Sequence, residues 1–78
     1  MKIPVIKKLL EQDMELLRRL EEQIAEGETP EIVVEGDDEG EQLTHVFGAI
    51  WIKEQMAAGM EEREAMRAFS QKVRNSIS

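Results

Sequence analysis

The densest collection of groups able to do chemistry in this 78-residue chain lies between Glu35 and His45, where Glu35, Asp37, Asp38, Glu39 and Glu41 precede the one histidine. Glu41 and His45 are four residues apart, so on a helix they share a face. They could form a hydrogen-bonded pair or, with Asp38 as a third ligand, clasp a metal ion. The pair is the simpler reading. Calcium is suggested by the alternation of Glu35, Asp37 and Glu39 before Gly40, as in an EF-hand loop. The ninth and twelfth positions of such a loop then fall on Leu43 and Val46, where oxygen ligands are required. A helix start accounts for the same residues: Asp37 or Asp38 caps, and the carboxylates that follow favour the positive end of the helix dipole. With no cysteine, there is neither a disulfide framework nor a thiolate zinc site. No nucleophile is placed to work with His45, so the sequence predicts no enzyme and calls for no cofactor. An acyl carrier would need a serine at the start of its second helix, and the only serines are Ser70, Ser76 and Ser78.

The formal charge of −7 is unevenly spread. Ten of the 17 acidic residues fall between Glu21 and Glu41, a stretch without lysine or arginine, whereas Arg67, Lys72 and Arg74 follow the last acid, Glu64. The acidic stretch should repel nucleic acid and anionic lipid. It reads as a solvated loop and helix start, or else as a segment that binds a basic protein partner through Glu35, Asp37, Asp38, Glu39 and Glu41. The second reading would make the chain an acidic regulator, antitoxin-like or anti-activator in kind, with salt-sensitive binding. A nucleic-acid role through Arg63, Arg67, Lys72 and Arg74 is opposed by the net charge.

Three helices should position these groups. Pro4 suits the first position of a helix, because its missing N–H would be unpaired there anyway. Ile3, Ile6, Leu10, Leu17, Leu20 and Ile24 form an apolar stripe, widened by Leu9 and Leu16, that predicts a helix over 4–26 ending at Gly27. Asp13 stands where the stripe asks for a hydrophobe. It is either a polar register device at an interface or a residue displaced by Met14.

The Thr29-Pro30 step and the β-branched trio Ile32-Val33-Val34 predict an extended connection over 29–36, either padding the core or pairing as a strand with its copy in a second subunit. A central helix over 38–58 follows. Leu43, Val46, Phe47, Ile50 and Trp51 mark one of its faces while Ile52 and Met56 continue round another, so it must be covered on more than one side. Gly48, in mid-helix at a propensity cost of roughly 1 kcal/mol, suggests that another helix passes close there. Gly59 ends the central helix, and a last helix over 62–75 buries Ala65, Met66, Phe69 and Val73. Ile77 is expected to fray or to be held by a partner chain.

The opening Lys2-Ile3-Pro4-Val5-Ile6 and the ending Gly59, Arg63-Glu64-Ala65, Phe69 and Lys72-Val73 resemble a small, uncharacterised family of bacterial helical proteins. The resemblance covers the two ends, about a third of the chain. It implies an all-helical fold and carries no function.

A single small helical domain over 1–78 is therefore expected. A chain this short buries only roughly 60% of the surface its unfolded form exposes, and oligomerisation is the natural support for such a core. The excess apolar surface predicts a dimeric helical bundle, associating through Leu17, Leu20, Ile24, Gly48, Ile52 and Met56. The role expected is binding or scaffolding without catalysis, in the cytoplasm, since no apolar run is long enough to span a bilayer and charged residues lie close to the N-terminus. Neither a membrane nor a nucleic-acid partner is expected.

Overall fold

A computed structural model describes residues 2–77, with side chains as far as Asn75, so the expectation for the Ile77 side chain lies outside the described residues. Among the described residues there are four helices and no strand: α1 (Ile3–Leu9), α2 (Met14–Ala25), α3 (Glu39–Ala57) and α4 (Glu62–Ile77).

The single helix expected over 4–26 is two helices. Leu10–Gln12 form a turn, and Asp13, exposed and in extended conformation (φ −62°, ψ 148°), precedes the first turn of α2. Asp13 is thus neither in a seam nor displaced within a helix; it stands at the N-cap. The deciding group is remote in sequence. Lys53 of α3 brings its ammonium to the carbonyl of Leu10 at 3.3 Å and to that of Gln12, taking up oxygens that the interrupted helix leaves without partners. At the other end of α1, the Lys2 N–H donates to His45 Nε2, also on α3, at 2.9 Å. Both ends of α1 are held by side chains of the same helix.

The break explains how α3 is covered. His45, Val46, Gly48, Ala49, Ile50 and Ile52 are buried around its circumference, and α1, α2 and α4 all pack on it. Once the chain bends at 10–13, α1 and α2 can lie on different parts of α3, so the surface that the sequence assigned to a second copy is filled from within the chain. Leu17, Leu20 and Ile52 have no exposed surface, and Ile24 and Gly48 are buried. Of the residues expected to associate, only Met56 is exposed. The fully buried ones cannot meet a second copy without unpacking the core.

The remaining elements follow local rules. α2 and α3 both end in Schellman turns with glycine in the left-handed region, Gly27 at φ 78° and Gly59 at φ 108°. After α2, Glu28 N–H reaches the Gln23 carbonyl at 2.8 Å and Gly27 N–H that of Ile24 at 3.1 Å; after α3, Met60 and Gly59 repeat the pattern onto Gln55 and Met56. The connection from α2 to α3 is extended without being a strand. Val34 is buried and Ile32 half-buried, while Val33 between them is 90% exposed, so the alternation pads the core with every second residue.

Candidate binding surfaces

The chemistry-rich segment proves to be largely occupied with its own fold. Asp38 is the N-cap of α3, its Oδ1 accepting the Glu41 N–H at 2.8 Å. Glu41 reaches back, Oε1 accepting the Asp37 N–H at 2.7 Å, which holds the Glu41 carboxyl below its ordinary range. Asp38 thus caps as a Ser or Thr would, while Glu41 at the third helical position reaches one residue further back than in a capping box, to the N–H that precedes the cap. The side chain of Asp37 lies 3.6 Å from Lys2 Nζ, and that of Glu35 lies 3.5 Å from Lys8 Nζ. Glu39, in the first turn of α3, is exposed.

Upstream in the same connection, Glu31 takes Arg19 Nε at 2.7 Å and Gln23 Nε2 at 3.1 Å. The arginine hydrogen bond lowers the Glu31 carboxyl below its ordinary pKa and raises that of Arg19. The acidic connection is therefore laced onto α1 and α2 by Lys2, Lys8 and Arg19.

His45 does not pair with Glu41. It is completely buried, with Nδ1 2.8 Å from the Glu35 carbonyl and Nε2 accepting the Lys2 N–H. A carbonyl can only accept, so the proton sits on Nδ1 and the imidazole is the neutral tautomer with both nitrogens engaged. The ring ties the start of α1 and the end of the connection to α3. With its nitrogens spent on backbone, it is not available as a ligand, and Asp38, Glu41 and His45 do not form a metal site. Among the described residues, no group of three or more His, Asp or Glu is placed to hold a metal ion.

A hollow lies elsewhere, a groove of about 680 Å³ with walls from α2, α3 and α4. Leu43, Phe47, Phe69 and Val73 make it apolar, with Ala25 and Thr44 between them, and Glu21 and Lys72 stand on opposite walls. Thr44 contributes little polarity, because its hydroxyl is turned back to the Gly40 carbonyl at 2.9 Å.

Phe69 reaches its place in the groove lining because α3 carries a glycine at 48. A Cβ there would lie 2.6 Å from Phe69 Cε2 and 2.7 Å from Cζ, so the absent side chain is what lets the Phe69 ring settle on α3. The close helix approach expected at Gly48 is real. Phe69 sits between Trp51 at 6.1 Å and Phe47 at 6.5 Å, both in tilted arrangements. Phe69 is almost fully buried, yet Phe47 is 47% exposed and stands at the lip. The sequence placed Phe47 on a face to be covered; this chain covers only half of it.

A second hollow, of about 440 Å³, lies between α1 and α4 and is lined by Lys7, Arg63 and Arg67 together with Ile3, Glu62, Met66 and Ser70. Sequence reasoning noticed Arg63 and Arg67 but not their meeting with Lys7, since nothing in the spacing says which face of α4 packs against α1.

A family model matches residues 1–78, the whole chain and not only its two ends. The chain belongs to DUF6952, a family of unknown function. No curated protein and no solved structure matches it. The all-helical fold is as the resemblance implied. No helix among the described residues is long and apolar enough to cross a membrane.

Proposed function

We propose that this DUF6952 chain acts by binding, not by catalysis, and that its groove between α2, α3 and α4 takes a second copy of the chain. The observation that carries this reading is Phe47: a large aromatic side chain half out of water, beside an apolar groove with room for such a ring. Knob and hole on one patch suit a twofold interface, in which each subunit offers the same surface and receives the same surface. The opposite charges on the groove walls also suit it, since a twofold axis along the groove would bring Glu21 of one copy towards Lys72 of the other. This is a different surface from the one expected on sequence grounds, of which Met56 alone is exposed.

The test is mass in solution, by light scattering on a sizing column, for the wild type and for Phe47→Glu. Twice the chain mass for the wild type and a single chain mass for the variant, with unchanged helical circular dichroism, is the expected result. A wild type that stays monomeric throughout the micromolar range overturns the second-copy reading. The acidic-regulator alternative is less well supported, because Glu31, Glu35, Asp37, Asp38 and Glu41 already serve the fold. It predicts instead that reversing the charge of Glu39 weakens capture of a basic protein.

A further inference from the structure

The basic hollow between α1 and α4 has no part in the groove reading. The protein carries a large negative charge, and four of its cations, Lys2, Lys8, Arg18 and Arg19, each face a carboxylate: Asp37, Glu35, Glu54 and Glu31 respectively. Lys7, Arg63 and Arg67 do not. Among the described residues, none of the three has a carboxylate within ion-pair distance, although all three line one hollow.

Arg63 and Arg67 are spaced i,i+4 on α4, an arrangement in which like charges repel, and Lys7 approaches from α1 to add a third positive charge. Ser70, on the same face of α4 as Arg67, adds a hydroxyl. Met66 and Ile3 add apolar wall, the first buried and the second half-buried. Glu62 is the single carboxylate in the lining, leaving a formal excess of two positive charges at the hollow.

The geometry points to a binding site for a phosphate monoester attached to an apolar moiety, held by Lys7, Arg63, Arg67 and the Ser70 hydroxyl against Met66 and Ile3. The donor set selects the class. One arginine fork satisfies a carboxylate, whereas a phosphate monoester dianion presents three outward oxygens and matches both the number of cations and their excess charge. A bare inorganic ion would leave the Met66 and Ile3 wall unused, so an organic phosphate should bind more tightly.

The experiment is ¹⁵N NMR titration of the full chain with phenyl phosphate, inorganic phosphate and, at matched ionic strength, chloride. A parallel arm uses phosphatidic acid vesicles against neutral vesicles. Saturable shifts centred on Lys7, Arg63, Arg67 and Ser70 are expected with phenyl phosphate, which should bind several-fold more tightly than inorganic phosphate, with no saturation by chloride. Arg67→Gln should weaken binding about tenfold, and Arg63→Gln and Lys7→Gln by similar or smaller factors. All three positions are exposed, so the variants keep the fold.

Saturation only on phosphatidic acid vesicles, at the same residues and with the same loss in Arg67→Gln, would place the phosphate on a lipid headgroup and still support the site. Shifts that fail to saturate in either arm, that spread over α2 and the connection, or that survive Arg67→Gln and Arg63→Gln together would overturn it.

Discussion

The acidic connection and the groove between α2, α3 and α4 invert what their sequences suggest. The connection has the residues that do chemistry, and nearly all are bound within the chain: a cap at Asp38, a return bond to Glu41, ion pairs at Glu35 and Asp37, and a twofold arginine contact at Glu31. The groove is built from residues that would pass as ordinary core, and it leaves Phe47 half in water. Charge density measures how many bonds a segment can make. What it has left to offer a partner depends on how many the fold has already taken.

That contrast can be broken most severely at His45, on which the connection rests. His45→Ala should leave the Lys2 N–H and the Glu35 carbonyl without partners and open a cavity, destabilising the fold by about 3 kcal/mol. In a domain this small, each kcal/mol lowers the melting temperature by roughly 4–8 °C, a change that Trp51 fluorescence can follow. A loss under 1 kcal/mol would show that the connection does not depend on the imidazole.

The groove side is tested at its floor. Gly48→Ala improves helix propensity by roughly 1 kcal/mol, yet its methyl meets a buried ring hemmed in by two others. Overpacking of this kind typically costs about 1–3 kcal/mol, so a net destabilisation is expected in urea unfolding. A stabilised variant would mean that Phe69 shifts freely and that the groove is plastic.

A smaller effect is expected at the cap. Asp38→Ala should cost about 1 kcal/mol, while Asp38→Asn, which keeps an acceptor oxygen, should cost much less. Equal losses in the two would assign the effect to charge and return the acidic stretch to an electrostatic role.

The smallest effect concerns pH. The Glu31 carboxyl, exposed and hydrogen-bonded by Arg19, is lowered from its ordinary value of 4.5. A carboxylate so lowered contributes stability that is fully present above about pH 4.5 and is lost as pH falls through the lower, folded value. Glu41, lowered by the Asp37 N–H, acts in the same direction. Glu31→Gln should therefore be slightly less stable than wild type at pH 7, with the difference shrinking as pH falls below about 4.5. A difference that persists in acid would point to lost packing instead.

Much of the frame was legible in the sequence because it is set locally. Gly27 and Gly59 announce the helix ends they make, the carboxylates after Gly36 announce a helix start, and an apolar pattern round two sides of one segment announces the central helix. The break at 10–13 was not legible, since Leu10, Glu11 and Gln12 are good helix formers and the carbonyls freed there are taken by Lys53, some forty residues away. Asp13 was the available signal: a strong N-cap residue just where the stripe falters. His45 misled for a related reason. Spacing names side-chain neighbours such as Glu41, whereas the imidazole's partners are backbone atoms that every residue possesses. The dimer surface assigned from the sequence depended on the unbroken helix: in the bent chain Leu17, Leu20, Ile24, Gly48 and Ile52 are buried within the molecule, Gly48 beneath Phe69 of α4.

The two α3 side chains that grip the ends of α1 also bear on how the molecule opens. Seven residues are too few for a helix to persist in water alone, so α1 exists only while docked. Its first turn is tied to α3 through His45 and its last through Lys53, and fraying from either end must first break one of these ties. The amides of α1 should consequently exchange with solvent as one group, in a single undocking event. Residues 2–12 would then behave as a detachable clasp, whose closing completes a core already assembled from α2, α3 and α4.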